Sequence, residues 1–391
     1  MMNRMELESF QDTLISAIDE DWQVCQQLKL NISRESFHGL HLQIRGVCIG
    51  GIESPTIVNG ITMFREVHLQ LPSNELGDIL SVPKKIPVMK NGTSPYIYVD
   101  KGIFYSDGTT IFEKGTVIQV PLPDSDTPRY LKGYSFPFLG TAKPFYELRI
   151  NPKNTGRCPG KCLFCHRGYA HRIKPSQIRK ILLAKEIMKA IVEDYGADIL
   201  KNVSHVSVIT ELFGREEPFL RFLEEMKWLL FKTGCVPGTK FRACAQDIRS
   251  EYGLRRLYSI LDDKRYSYTL EVFSQRRKIM GKYKGIALIE VEKILKTARE
   301  IGFRDIKLNY VAGVDSISSF ENGIRRFRSL GLIDTIGLSI LTTFFPDQLN
   351  LRNIDAWSIK YYAKIIEVIK ELGIPFYEPG CFEMGYPLKM L

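Results

Sequence analysis

Three cysteines lie close together in the middle of the chain, in the segment NPKNTGRCPGKCLFCHRGY. Cys158, Cys162 and Cys165 follow the spacing C-x3-C-x2-C, and the glycines and proline between them favour a loop that can wrap around one centre. Thiolates are ligands for soft metals, so the loop is a candidate metal site. Four protein ligands would complete a zinc site or a fully protein-held iron–sulfur cluster, whereas three leave a coordination position open. If His166 or a distant cysteine supplies a fourth ligand, zinc is the alternative.

The cysteine segment follows the first strand of an alternating series of strands and helices. Apolar runs predict strands in YELRI, HVSVIT, KFRACAQ, YSYTLEVFS, IKLNYVAG and TIGLSIL, each followed by a helix pattern. Repeated strand–helix units predict a parallel sheet with functional groups in the loops after the strand C-termini. These six units are too few for a closed eight-stranded barrel. We therefore expect an α/β fold, a partial (β/α)6 TIM-like barrel, over residues 146–391.

The first part of the chain has a different pattern. Residues 5–30 have the apolar spacing of a helix, and residues 37–123 alternate as strands do in HLQIRGVCIGG, REVHLQLP and YIYVD. An Asp-Gly turn in IFYSDGTTIF predicts a hairpin. We expect an N-terminal α+β, β-rich accessory module over residues 1–125, followed by a linker over residues 126–145.

The cysteine spacing, the aromatic Phe164 before the last cysteine and the place after the first strand resemble the radical S-adenosylmethionine (radical SAM) superfamily. The resemblance covers residues 146–391. It implies that the three cysteines hold a [4Fe–4S] cluster whose open iron binds the methionine part of S-adenosylmethionine. It also implies that an electron from the cluster cleaves the sulfonium, and that the released 5′-deoxyadenosyl radical abstracts a hydrogen from the substrate. Phe164 would present its backbone to the adenine.

The same resemblance assigns S-adenosylmethionine contacts to residues at three later strand ends. ITELFGREEP stands where the family holds the amino group, although the glycines usual there are missing. LEVFSQRRKIMG resembles biotin-synthase-like and ThiH-like members at the strand that meets the ribose and carboxylate, and NYVAGVDS resembles the turn that packs on adenine. The residues implied are Thr210, Glu211, Glu271, Ser274, Arg276, Arg277, Val311, Ala312 and Gly313. A helix cap, a solvated charge or a plain strand-to-helix turn is the structural alternative for these positions.

The C-terminal segment FYEPGCFEMGYPLKML combines aromatic side chains with carboxylates directly after the last predicted helix. If Ile374–Tyr377 forms a final short strand, Tyr377, Glu378 and Glu383 can reach the mouth of the barrel and orient a substrate. The alternative is a tail that packs against the rest of the protein.

The net charge is +10, and its basic residues are denser around the cysteines than along the rest of the chain. Cationic side chains beside a thiolate-held cluster stabilise its reduced state and can dock an acidic electron donor of the flavodoxin or ferredoxin type. A solvated surface and a nucleic-acid interface, with aromatic side chains among the charges, are the alternatives. The basic residues of this run are Arg157, Lys161, Arg167, Arg172, Lys174, Arg179 and Lys180.

Composition excludes several classes of protein. Apolar residues make up 44% of the chain, too many for an intrinsically disordered protein. No apolar run is long enough to span a membrane, and acidic residues stand near the N-terminus where a secretory signal has an apolar stretch. We expect a cytoplasmic protein whose cysteines are ligands or buried thiols rather than disulfides.

Together these features predict a radical SAM enzyme with a [4Fe–4S] cluster and S-adenosylmethionine as cofactors. We expect an organic, small-molecule substrate, with the reaction subclass (lyase, mutase or transferase) open. Modification of a peptide or RNA recognised through the N-terminal module is one alternative. A zinc-stabilised nucleic-acid-binding protein is the alternative from a different class.

Overall fold

The computed structural model describes most of the chain after residue 179 and separate segments before it. The described residues are 4–27, 34–45, 48–49, 56–58, 61–63, 66–70, 84–87, 96–99, 102–105, 110–112, 117–119, 134–135, 147–150, 158–165, 180–195, 197–341, 343 and 346–377. Most of the basic run and the predicted substrate residues Glu378 and Glu383 lie outside these ranges.

The N-terminal part has two helices followed by short strands. The helices are α1 (Arg4–Gln27) and α2 (Arg34–Arg45). The strands are β1 (Cys48–Ile49), β2 (Thr56–Val58), β3 (Ile61–Met63), β4 (Glu66–Gln70), β5 (Lys84–Pro87), β6 (Tyr96–Val99), β7 (Gly102–Tyr105), β8 (Thr110–Phe112) and β9 (Val117–Gln119). The predicted hairpin is confirmed, because β7 and β8 pair antiparallel.

One predicted strand in this part is wrong. HLQIRGVCIGG begins inside α2, and the strand covers only Cys48–Ile49. Phe37, Leu40 and Ile44 recur at three- and four-residue spacing and are all buried. That spacing places them on one face of a helix. The strand-like alternation that follows in the sequence led to the prediction of a strand here instead of the end of a helix.

The second part is an α/β fold with parallel sheets, as predicted. Its strands are β10 (Tyr134–Ser135), β11 (Glu147–Ile150), β12 (His205–Val208), β13 (Lys240–Ala243), β14 (Arg265–Glu271), β15 (Asp305–Ala312), β16 (Thr335–Ile340) and β17 (Phe376–Tyr377). The strands β11, β12 and β13 pair parallel in sequence order, and so do β14, β15, β16 and β17. A parallel bridge between Cys244 and Ser267 joins the two sheets. Among the described residues the sheets do not close into a barrel, so the partial barrel stays a prediction.

Helices alternate with these strands. They are α3 (Lys180–Tyr195), α4 (Glu216–Thr233), α5 (Glu251–Ile260), α6 (Arg276–Lys284), α7 (Leu288–Ile301), α8 (Ile317–Ser329) and α9 (Ile359–Glu371). Helix α6 is additional to the predicted set. It is short, and Gly281 interrupts its helical geometry with a φ of 71°. A helix this short has too little apolar periodicity to be predicted from its sequence. The strands pack through buried apolar side chains against these helices in one hydrophobic core.

The first two helices dock on the last one. The Asp21 carboxylate accepts hydrogen bonds from the Ser358 hydroxyl and, at 3.0 Å, from the Ile359 backbone N–H at the start of α9. The Arg45 guanidinium donates to the Trp357 carbonyl at 3.1 Å. The buried side chains of α1 and α2 therefore join the core of the α/β part.

The strand β10 lies within the predicted linker 126–145 and pairs antiparallel with β11. The division into a module, a linker and a barrel stays a prediction. In the part of the chain that the structure describes, no helix combines the length and apolar character needed to cross a membrane.

Candidate metal centre

The three cysteines lie in the loop after β11, at the C-terminal edge of the parallel sheet. Cys162 is buried, whereas Cys158 and Cys165 are partly exposed. A backbone hydrogen bond of 3.1 Å, from the Cys165 N–H to the Cys162 carbonyl, forms a tight turn between the second and third thiols. The backbone N–H groups of Leu212 and Gly160 donate to the Cys158 sulfur.

The environment of the thiols favours their use as metal ligands over use as free nucleophiles. Burial raises the pKa of Cys162 to about 12, although the nearby Lys284 acts in the opposite direction. Burial also raises the pKa of Cys158. Since a thiol must lose its proton to bind metal, these two sulfurs become thiolates only when a bound centre displaces the protons.

The donor set fits an iron–sulfur cluster. Three thiols share one loop, and Gly160 lies directly beside one of them, because a Cβ there would lie 3.5 Å from the Cys158 sulfur. The backbone N–H groups at Cys158 are the kind of donor that stabilises a cluster sulfur. Among the described residues, no group of three Cys, His, Asp or Glu side chains converges as ligands of a single metal ion.

Loops after later strands hold the cysteine loop in place. The Leu163 N–H donates to the Ile279 carbonyl of α6 at 2.8 Å, and the buried Gln348 amide donates to the Leu163 carbonyl at 2.7 Å. Gly281 allows α6 to approach, since a Cβ at this position would lie 3.1 Å from the Cβ of Lys161. The cysteine loop is therefore held between α6 and the turn after β16.

Glu271 and Lys284 form an ion pair next to the thiols. The Lys284 ammonium lies 2.7 Å from a Glu271 carboxylate oxygen, and the side chains are only 11% and 14% exposed. Burial disfavours the charge on Lys284, but the sulfur of Cys162, when deprotonated, and the carboxylate of Glu271 outweigh it and raise the pKa of the lysine. Cys165 acts in the same direction.

The backbone at Glu271 is strained. Its φ is 69°, in the left-handed region, and the pairing of β14 with β15 is irregular between Thr269 and Glu271. A non-glycine residue in this conformation costs about 1–2 kcal/mol, and such irregularities occur next to active sites. Gln275, at the start of α6, is also left-handed with a φ of 46°.

A buried aspartate stabilises the turn between these two strained residues. The Asp315 carboxylate accepts the Phe273 N–H at 2.7 Å, the Ser274 N–H at 2.9 Å and the Ser274 hydroxyl. The Asp315 carbonyl accepts the hydroxyl of Tyr361 at 2.7 Å. Asp315 therefore fixes the strand end that carries Glu271.

A second buried aspartate acts in the same way one loop away. The Asp247 carboxylate accepts the Phe213 N–H at 2.9 Å and the Gly214 N–H at 3.0 Å, both after β12. It also accepts the Tyr283 hydroxyl of α6 at 2.7 Å. A Cβ on Gly214 would lie 3.3 Å from Pro159, so this loop packs against the cysteine segment.

The sequence interpretation missed Asp247, Asp315, Tyr283 and Lys284. A positional signal existed for the two aspartates, because each follows a parallel strand by only a few residues, where ligand-facing groups belong. No comparable signal existed for Tyr283 and Lys284, because they belong to a helix that the pattern did not predict.

The predicted cofactor residues of the second strand end lie near the cysteines. Glu211 is buried and close enough to Cys158 to act on its pKa electrostatically. Thr210 is partly buried beside it. Phe164 is partly buried and packs against Cys162 and its apolar neighbours.

At the fourth strand end, the protein itself uses one predicted arginine. The buried Arg276 guanidinium donates to the carbonyls of Leu270 at 2.7 Å and Ile286 at 2.9 Å, and also to that of Val272. These bonds hold the strand end against the start of α7. Arg277 is exposed. Contact of either arginine, or of Ser274, with the carboxylate of S-adenosylmethionine stays a prediction.

The turn after β15 is tightly packed. Gly313 has a φ of 108°, its N–H donates to the Tyr361 hydroxyl at 3.1 Å, and its carbonyl accepts the Asn353 N–H at 2.8 Å. Ala312 is buried and Val311 partly exposed. An adenine contact here stays a prediction.

The remaining predicted residues are described only in part. Tyr377 lies in β17 opposite Gly337, which confirms the short final strand. Glu378, Glu383 and His166 lie outside the described residues, as do Arg157, Arg167, Arg172, Lys174 and Arg179 of the basic run. Lys161 is exposed beside the thiols.

No protein-family model and no curated protein matches this sequence. Solved structures do match, among them the hydrogenase maturase HydG from Carboxydothermus hydrogenoformans, with 12% identity over 60% of this chain and 53% of that one, at a TM-score of 0.43. Coproporphyrinogen III oxidase HemN from Escherichia coli, described as a radical SAM enzyme, matches with 14% identity over 59% of this chain and 53% of that one (TM-score 0.40).

SuiB from Streptococcus suis, solved with bound S-adenosylmethionine, matches with 15% identity over 61% of this chain and 51% of that one, at a TM-score of 0.42. The chain thus spans about half the length of these structures. They include a member of the superfamily that the cysteine spacing resembles.

Proposed function

We propose that this protein is a radical SAM enzyme that cleaves S-adenosylmethionine reductively. The carrying observation is the loop of Cys158, Cys162 and Cys165, which directly follows the first strand of the parallel series and is held by loops of later strands. These cysteines would hold a [4Fe–4S] cluster. When bound, such a cluster supplies the electron that breaks the carbon–sulfur bond of the sulfonium and yields a 5′-deoxyadenosyl radical.

A partial TIM-like barrel is part of the proposal, and the parallel sheets support it. The hydrogen bond from Gln348 to the Leu163 carbonyl connects the turn after β16 with the loop after β11. The ends of the strand series therefore approach each other at the edge where the thiols lie. Loops at this edge are where enzymes with parallel strands bind their ligands.

The protein's own groups around the thiols suit a charged cofactor. Glu211 lies beside Cys158 and can accept hydrogen bonds from an ammonium group. Phe164 packs beside Cys162 and adds an aromatic surface to the site. We propose that these groups bind and orient S-adenosylmethionine, and that the radical acts on a small organic molecule. Modification of a peptide or RNA is the alternative outcome of a substrate search.

A basic surface beside the thiols supports an acidic protein as the electron donor. Arg277, Lys278 and Lys282 of α6 are exposed, as is Lys161 of the cysteine loop. The α6 segment contains no acidic residue. Leu163, which is 41% exposed, adds an apolar side chain to the surface beside the thiols. A donor of the flavodoxin or ferredoxin type would approach the cluster here.

Anaerobic reconstitution with iron and sulfide tests the proposal. We expect a brown protein with about one four-iron cluster, which forms 5′-deoxyadenosine from S-adenosylmethionine and dithionite. Replacing Cys158, Cys162 and Cys165 with alanine should abolish both. Cys235→Ala is the matched control, because Cys235 is as buried as Cys162 but lies just after α4, and it should retain both. A colourless wild-type protein that binds zinc instead would contradict the proposal.

A further inference from the structure

The ion pair of Lys284 and Glu271 connects two elements beside the cysteine loop. Lys284 ends α6, and Glu271 ends β14. The lysine side chain runs along the cysteine loop, since a Cβ on Gly160 would lie 3.7 Å from its Cδ. Its ammonium then meets the Glu271 carboxylate at 2.7 Å. The pair is largely shielded from solvent, so water screens its charges only weakly.

The ammonium acts on all three thiol positions. Cys162 is the strongest thiol partner of Lys284, and Cys165 also interacts with it. Cys158 interacts with Lys284 and with the carboxylate of Glu211. Arg276 is a further buried cation whose charge Cys162 influences. Lys284 thus interacts electrostatically with all three thiols.

The carboxylate partner is held in place at a conformational cost. Glu271 keeps a left-handed backbone at an irregular point of the strand pairing, and Asp315 fixes the turn that follows it. Strain of this kind persists only where the surroundings enforce it, and it is common at functional sites. The backbone that carries the Glu271 carboxylate is therefore held in one conformation.

We propose that Lys284 sets the reduction potential of the centre held by the three cysteines, and that Glu271 limits its effect. This inference rests on the proposed function. Reduction adds one negative charge to a thiolate-held cluster, and a fixed cation in a shielded site stabilises the reduced state more than the oxidised state. Glu271 orients the ammonium and offsets part of its charge. Lys284 is a positioning residue in this proposal, because it acts on the cluster and not on substrate.

Potentiometric titration of the reconstituted, full-length protein tests the inference, with the reduced cluster followed by electron paramagnetic resonance. Lys284→Met keeps the length of the side chain and removes the charge. At a fixed potential near the midpoint, we expect the ratio of reduced to oxidised cluster to fall about tenfold, a shift of about 59 mV for one electron. Lys284→Arg should stay close to the wild type. Glu271→Gln should shift the midpoint in the opposite direction.

The matched control is Lys282→Met, two positions away on α6. This lysine is exposed, so solvent screens its charge and the midpoint should not change. An unchanged midpoint in Lys284→Met with full iron content would overturn the inference while leaving the proposed function intact. If Lys284→Met fails to fold or to hold a cluster, Glu271→Gln decides, and an unchanged or lower midpoint there overturns the inference. A wild-type protein without a cluster would overturn the proposed function first.

Discussion

Asp247 and Asp315 both accept backbone hydrogen bonds in loops after parallel strands, but they connect different parts of the site. Asp315 is 0% exposed, and its carboxylate accepts two backbone N–H groups and a hydroxyl from one turn, Phe273–Ser274. Asp247 is 3% exposed, and its donors come from two places, the loop after β12 and Tyr283 of α6. Asp315 therefore stabilises one strained turn, whereas Asp247 couples two elements on either side of the cysteine loop.

This difference separates local stability from assembly of the site. A carboxylate that satisfies donors within one turn mainly protects the fold. A carboxylate that joins two elements also fixes the distance between them. Here those elements carry Gly214, which packs against Pro159, and Lys284, which pairs with Glu271.

The largest expected effect on stability is that of Asp315→Ala. The change leaves two buried backbone N–H groups and a hydroxyl without their acceptor, next to the left-handed Glu271 and Gln275. Unsatisfied buried polar groups are among the largest single causes of destabilisation, so we expect the free energy of unfolding to fall by about 3–5 kcal/mol in total. Urea unfolding of the protein without its cluster measures this. A loss below about 1 kcal/mol would show that the Phe273–Ser274 turn keeps its conformation without the Asp315 carboxylate.

Asp247→Ala should destabilise the fold less and the cluster more. We expect the free energy of unfolding to fall by about 2–4 kcal/mol. Other contacts still hold α6, because Arg249 donates to the Tyr283 carbonyl at 2.6 Å and lies 4.5 Å from the centre of its ring. The loop beside Pro159 loses its anchor, so the cluster should be released to a chelator faster than from Asp315→Ala. Equal release rates in the two variants would remove the distinction.

Tyr283→Phe isolates the coupling function of Asp247. It removes only the hydroxyl that joins α6 to the carboxylate and leaves the two backbone donors in place. We expect a loss of about 1–2 kcal/mol in the free energy of unfolding, together with faster release of iron to a chelator. If the iron stays bound as firmly as in the wild type, the coupling runs through the β12 loop alone.

Ser274→Ala is the corresponding change at Asp315 and should have the smallest effect. The hydroxyl is lost, but the Phe273 and Ser274 N–H groups keep their acceptor. We expect a loss of about 1 kcal/mol in stability and no change in the rate of iron release. Because Ser274 is also a predicted contact of S-adenosylmethionine, the affinity of the Ser274→Ala protein for this cofactor should be measured separately. Faster iron release here would contradict the view that Asp315 acts locally.

The local sequence patterns determined much of this protein. The spacing of Cys158, Cys162 and Cys165 identified the candidate site, since ligands in one short loop need no distant partner to be recognised. Alternating apolar runs predicted the strands β11 to β16 and most of the helices between them, because each run buries one face of its own element. The Asp-Gly turn predicted the hairpin of β7 and β8 for the same local reason.

Only the tertiary structure decided which residues surround the thiols. Lys284 acts electrostatically on Cys162, although more than a hundred positions separate them in the sequence. It belongs to a short helix that Gly281 interrupts and that no periodic pattern predicted. Arg276 resembled a cofactor ligand, yet its guanidinium is bonded to backbone carbonyls at the end of β14 and just before α7. Asp247 and Asp315 bind donors more than thirty positions away. Such contacts depend on how parallel strands bring their ends to one edge, and no local pattern of side chains encodes that arrangement.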